Sequence, residues 1–334
     1  MSKKVFLLGS VVGGVILVIV LFFFVDFRQI FSQIGEAGPA GIGAFTLNIF
    51  LIFLLDSISW KIILNSYGYF PPFKDILSAK LVGFTINYLT PSMYIGGEPL
   101  RTYMIAKKNS LSITRVGATV IVNKFLELGA ALFFIYLGSI WTLIEYKLPR
   151  EVFIAVLIAN IIFGIGIGMI FVSFLYQKKF FTPLIKLIQR VKFFSKPLEK
   201  IAPQISEMED DVFRAFKEHR KNTSFAFGLN LLSGFLVFLK PFIFFYFLKV
   251  ILKLPQLALV FALTQLLFAF QFTPGSLGIF EVGEVGIYKL IGIEAHQTLA
   301  YTLTVRAIDF SQLGIAASFL FHLGAKKIWR KKEK

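Results

Sequence analysis

Two short patterns of opposite charge stand inside otherwise apolar stretches: Lys124-x-x-Glu127 and Arg306-x-x-Asp309. A three-residue spacing puts both members of each pair on one face of a helix, where they can neutralise one another. Lys124 lies about 12 residues, or ~18 Å, into its apolar run; Arg306 is similarly deep in its own. A lone charge at that depth costs at least ~2.5–3.5 kcal/mol on insertion scales. Two readings are open: ion pairs that fix helix packing, or the border of a polar path whose partners exchange during transport. Four further ionisable residues, Glu98, Arg101, Glu281 and Glu284, follow Pro/Gly-rich breaks. A guanidinium can hold a phosphate through paired N–H groups. A carboxylate can receive an ammonium group, carry a proton or cap a helix start, and exposed N–H groups beside glycines can receive an anion. Asn87, just before the first break, joins this set as a polar substrate-facing candidate.

The elements that must position these residues are read from composition. The chain has 334 residues, 56% hydrophobic and 16% charged, with mean hydropathy +0.75. A soluble domain needs more polar surface than that. Apolar blocks span 5–25, 40–64, 76–94, 116–144, 152–176, 224–248, 257–272 and 297–323. Most are long enough to cross ~30 Å of hydrocarbon. The expected fold is an all-α polytopic membrane protein, which excludes soluble-enzyme, disordered and disulfide-rich secreted classes. There is no cysteine, so thiol chemistry is absent. His219, His296 and His322 share no ligand spacing, and no phosphate-cradling glycine loop occurs. No metal and no cofactor are expected, and no enzymatic activity.

The third and seventh blocks end in breaks: Thr90-Pro91 with Gly96-Gly97, and Thr273-Pro274-Gly275 with Gly278. Proline and glycine disfavour helix continuation, and broken helices at membrane depth need protein or a watery cavity to receive their backbone groups. If every block crosses fully, Arg101, Lys107, Lys108, Arg115 and the eleven Lys/Arg of 177–221 fall outside, against the positive-inside rule. If the two broken blocks enter and return, 26 Lys/Arg lie inside, six lie outside and three remain within blocks. About six crossing helices, two re-entrant helices and cytoplasmic termini follow. The net charge of +16 is then a topology signal rather than a sign of nucleic acid, for which no role is expected. Residues 177–221 suit amphipathic helices on an anionic inner leaflet, with Glu209-Asp210-Asp211 as a solvated face. The 41 phenylalanines are expected mostly to face lipid.

A shift of 183 residues superposes Pro72 on Pro255, Thr90-Pro91 on Thr273-Pro274 and Glu98 on Glu281. One residue of slippage brings Lys124/Glu127 onto Arg306/Asp309. The charge-derived topology makes this repeat inverted, a recurrent transporter arrangement. The chain divides into a first helix and outer loop (1–39), copy one (40–145), a crossing helix with the basic cytoplasmic segment (146–222), copy two (223–325) and a basic tail (326–334).

The segments Asn87-Tyr88-Leu89-Thr90-Pro91, Gly96-Gly97-Glu98-Pro99-Leu100-Arg101 and Thr273-Pro274-Gly275-Ser276-Leu277-Gly278-Ile279-Phe280-Glu281, with Arg306-Ala307-Ile308-Asp309, resemble the flippase-like family also called the lysylphosphatidylglycerol synthase transmembrane region. The resemblance extends over residues 5–325. It implies a multi-pass protein of the cell (inner) membrane that moves phospholipids or polyprenyl-linked lipids between leaflets, with Glu98, Arg101, Glu281 and Arg306 as functional positions. Full-length members of the synthase branch carry a soluble aminoacyl-transferase domain, whereas this chain ends in a basic tail. The expected partners are therefore membrane lipids, and a homo-oligomer is compatible. The alternatives are an ion-coupled transporter of a soluble solute, marked by a pocket sealed from lipid, and a membrane-embedded glycosyl- or acyl-transferase, marked by a donor-dependent change in lipid mass.

Overall fold

The computed structural model describes residues 27–90, 96–145, 150–176, 178–179, 182–183, 192–268 and 273–332. The expected first helix, 5–25, and Pro91 lie outside the described residues. All regular structure described is helical: α1 Phe27–Ser66, α2 Phe73–Leu89, α3 Glu98–Lys108, α4 Ile113–Glu145, α5 Arg150–Leu175, α6 Lys192–Lys217, α7 Arg220–Phe247, α8 Leu254–Phe268, a 3-10 turn Pro274–Ser276, α9 Ile279–Lys289 and α10 Ala295–Lys332. Three helices are long and apolar enough to cross a membrane by length and composition, over Arg28–Ser66, Ile113–Trp141 and Arg220–Phe247. Residues 27–37 are helical rather than an outer loop. Gly38, at φ 64°, and Pro39 break the helical geometry inside α1, close to the expected boundary at 39.

The two broken segments fold as helical hairpins. In the first, Lys108 at the end of α3 donates to Asp75 at the start of α2, at 2.7 Å. The Gly97 N–H donates to Asn87 Oδ1 at 2.6 Å. In the second, Gln256 near the start of α8 donates to the Ile291 carbonyl beyond α9, at 3.3 Å, and the Phe268 and Phe280 rings stack. Each segment therefore returns toward the end from which it came. The first hairpin adjoins the start of α4, but Ala258 of the second lies against Gly138, ~37 Å further along that helix. The two hairpins approach from opposite ends.

Contacts between helices repeat under the 183-residue shift. α1 packs along α7; α4 packs on α7 as α10 packs on α1; α8 packs on α4 as α2 packs on α10. In lipid there is little hydrophobic drive between helices, so close approach at small residues matters most. A Cβ on Gly138 would stand 2.7 Å from the Ala258 carbonyl oxygen, and one on Gly41 would stand 2.8 Å from Phe247. Phe45, Phe134, Phe238, Phe244, Phe245 and Phe261 are buried in the largest core cluster, with Tyr288 and Tyr301. These phenylalanines build the interior rather than the lipid face.

The basic segment differs from expectation. The last turns of α6 place Val212, Phe213 and Ala215 against Ile63, Ala118 and Val122, so this part docks on the bundle. Glu209 and Asp211 are buried. Glu209 accepts from Thr182, and Asp210 pairs with Lys179 at 2.6 Å. The solvated acidic face is therefore corrected: apolar neighbours at 212, 213 and 215 draw the preceding turn inward. Residues 177, 180, 181 and 184–191 lie outside the described residues.

Candidate functional site

The tips of the two hairpins meet. Tyr88, in the last turn of α2, lies against Gly275, where a Cβ would be 2.5 Å from its ring. The positive φ of Gly275, 61°, and of Gly278, 79°, turns the chain from α8 into α9; glycine adopts both at no steric cost. Thr273 Oγ1 donates to the Leu277 carbonyl at 2.8 Å. The Gly278 N–H donates to Glu281 Oε2 at 2.8 Å, so this carboxylate caps its own helix. In the first hairpin Gly97 precedes Glu98 and Pro99 at the start of α3. Thr90 closes α2 by donating to the Ile86 carbonyl at 2.6 Å. Gly96 and Gly97 occupy the turn before α3, and Pro274 opens the 3-10 turn of the second break.

Around these tips stand two ionic clusters, one per half. In the first, Lys124 Nζ lies 3.6 Å from Glu98 and 3.5 Å from Glu127. Glu127 makes its short contact, 2.8 Å, with Lys80 of α2. Asp56 of α1 faces Lys80, Glu127 and Lys124. Arg101 is buried: its guanidinium carbon is 4.8 Å from the centre of the Trp60 ring, and Nη2 donates to Asn123 Oδ1 at 3.1 Å. Its Nε has no acceptor. Asn123 and Asn230 both donate to Ser59 Oγ, extending a polar layer across α4, α7 and α1.

In the second cluster Arg306 Nε donates to Glu281 Oε1 at 2.7 Å. Its Nη1 donates to the Tyr88 hydroxyl at 2.6 Å and to the Gly275 carbonyl at 2.5 Å. The guanidinium lies between the Phe280 and Tyr88 rings, 4.9 and 5.5 Å from their centres. Glu284 is buried and accepts from Thr264 Oγ1 at 2.6 Å. Lys240 of α7 faces Asp309 and Glu284.

The expected i,i+3 pairing is corrected here. Arg306 pairs with Glu281, and among the described residues it makes no ion pair within 4 Å with Asp309. Helical side chains lean toward the N-terminus, which carries the guanidinium to the hairpin tip and away from a residue three positions later. Lys124 does reach Glu127, but Lys80 holds that carboxylate more closely. Asn87 ties its hairpin together through Gly97. Lys80, Asp56, Lys240 and Tyr88 were not sequence candidates. Lys80 and Asp56 carry a legible signal, a charge inside an apolar run; Tyr88 carries none.

The matched basic–acidic pairs differ in state. Lys124 and Glu98 are 24% and 13% exposed and 3.6 Å apart. Arg306 and Glu281 are 7% and 6% exposed and 2.7 Å apart. One pair is loose and reachable; its mate is shut.

The sequence matches the family described as "Lysylphosphatidylglycerol synthase TM region" over residues 7–317. The chain belongs to this family. Among curated relatives, a UPF0104 membrane protein of Methanothermobacter thermautotrophicus is 24% identical over 320 residues, covering 92% of this chain and 93% of the relative. A UPF0104 membrane protein of Methanocaldococcus jannaschii is 26% identical, covering 80% and 79%. One from Pyrococcus horikoshii is 23% identical, covering 90% and 92%. Family membership and apolar helices together make this a multi-pass membrane protein.

Proposed function

We propose that this protein is a lipid translocase. It moves the headgroup of a phospholipid or polyprenyl-linked lipid between leaflets of the cell membrane while the tails stay in hydrocarbon. The observation that carries this reading is the unequal pair of ionic contacts at the meeting hairpins: Glu98–Lys124 is loose and partly exposed, and Glu281–Arg306 is closed. Two halves with mirrored contacts can exchange these roles, opening the polar path first to one side and then to the other.

Lys61, Lys108 and Arg115 belong to the end of the bundle where the first hairpin begins and α6 docks. The positive-inside rule makes that end cytoplasmic, and its mobile partner is the anionic inner leaflet. The open mouth then faces the cytoplasm. A headgroup anion would compete with Glu98 for Lys124, and a headgroup ammonium would compete with Lys124 for Glu98. No bond is made or broken in this cycle, so the role is not enzymatic. An outward-moving cationic headgroup works against an inside-negative potential by ~2.3 kcal/mol per charge for each 100 mV, and so needs coupling to an ion.

The test is headgroup translocation in proteoliposomes containing Glu98→Gln or Glu281→Gln. Each substitution keeps size and removes charge. Both are expected to lose most translocation while remaining folded by size-exclusion chromatography. Normal translocation in both folded variants would overturn the proposal.

A further inference from the structure

The charges of the two halves do not balance alike. In the first half Lys80, Arg101 and Lys124 stand with Asp56, Glu98 and Glu127, three cations to three carboxylates. In the second, Lys240 and Arg306 stand with Glu281, Glu284 and Asp309, two cations to three carboxylates. Arg306 is committed to Glu281. One lysine therefore faces two carboxylates, and among the described residues Lys240 comes within 4 Å of neither.

Glu284 is 1% exposed. It accepts a hydrogen bond from the neutral Thr264 hydroxyl. Tyr288, one turn further along α9, and Tyr301 of α10, whose rings pack together, also face it. Arg306 Nη2 is buried without an acceptor although Asp309 faces that side chain, so the cluster is not closed by its own groups. A buried carboxylate without a paired cation is neutralised or strongly disfavoured. A metal cation needs a cage of several oxygens, and among the described residues no cluster of three or more carboxylate or imidazole side chains is placed to hold one. A proton needs one carboxylate oxygen.

We propose that Glu284 is the proton-binding site of this chain, loaded and emptied once per cycle. The inference rests on the translocase reading and names its coupling ion. Uptake converts the carboxylate to the acid and makes the second half neutral, two cations to two anions. In that state the Arg306–Glu281–Tyr88 contact can part without exposing an unpaired charge. Release returns the carboxylate, which Lys240 then shares with Asp309. Several elements contribute a group to this balance: Tyr88 from α2, Lys240 from α7, Thr264 from α8, Glu281 and Tyr288 from α9, and Tyr301, Arg306 and Asp309 from α10. Glu281 is committed to Arg306, and Glu98 has Lys124 as a loose cationic partner at 3.6 Å, whereas Glu284 has no cation within 4 Å among the described residues.

Infrared difference spectroscopy on the full-length protein in lipid, titrated across the neutral range, reads this site without any transport. The expected result is one carboxylic-acid carbonyl band that is lost on alkalinisation and is absent in Glu284→Gln. Thr264→Val, which removes only the hydroxyl, is expected to shift that band and serves if the first variant fails to fold. No such band in the wild type, a band unchanged in both variants, or the same spectral change produced by sodium at fixed pH would overturn the proposal. The band without lipid movement would retain the proton site and remove the translocase reading; lipid movement without the band would do the reverse.

Discussion

Lys124 and Arg306 occupy matching places in the two halves, yet their chemistry separates them. A lysine is a compact point charge, whereas a guanidinium offers five N–H donors in a plane. Arg306 uses that plane to bind a carboxylate, a phenol and a backbone carbonyl together. Arg306→Lys keeps the charge but cannot serve three acceptors at once. Glycines set equally sharp limits. A Cβ on Gly97 would meet the Gly83 carbonyl oxygen at 2.0 Å, so Gly97→Ala must part α2 from α3, at a cost of at least ~1–3 kcal/mol. Gly286→Ala meets nothing within 4 Å and is expected to be neutral or to stabilise by up to ~1 kcal/mol. Thermal unfolding of the two variants checks both expectations. Outside the membrane, burial holds the Asp211 carboxyl above its usual value against the opposing pull of Arg214 and Arg115. A raised folded value means that the native state binds the proton more tightly. The stability this gives is full below the ordinary carboxylate value and lost as pH rises through the folded one. Asp211→Asn should therefore raise the melting temperature at neutral pH and have less effect in acid.

At the scale of elements, the breaks were legible because their chemistry is local. Proline at 274 and glycines at 97, 275 and 278 stop or turn a helix whatever surrounds them. Pairing across the bundle was not legible. Lys80 is legible as a charge inside an apolar run, but its partner is not: only the fold brings it to Glu127. Tyr88 looks like an ordinary aromatic residue until the second hairpin arrives from the far end. Its hydroxyl accepts from Arg306 Nη1, a hydrogen bond that joins the two halves. The cysteine-free chain allows spin labels at Leu89 and Leu277 alone, one beside each tip. A single short distance is expected in the wild type. Tyr88→Phe and Arg306→Lys should each add a longer population; an unchanged distribution in both would mean that ring packing alone holds the tips.

At the scale of the whole molecule, the repeat links sequence to architecture. Three ordered matches at one shift, and a fourth with one residue of slippage, suffice to pair the two halves on paper. The helix contacts carry the same correspondence into space, α2 on α10 and α8 on α4. What the shift does not convey is inequality: Arg101 corresponds to Glu284, and Lys80 to Leu263. The halves share a backbone plan but differ in charge, so the two ionic clusters differ in chemistry. The decisive measurement is headgroup accessibility in proteoliposomes of the purified wild-type protein. Labelled phosphatidylglycerol, an aminoacylated derivative and a polyprenyl phosphate would be followed with and without a proton gradient. The account predicts that at least one lipid moves between leaflets, faster under the gradient than without it. If none moves under any gradient while the protein is demonstrably folded, the account of a lipid path between the hairpins is contradicted.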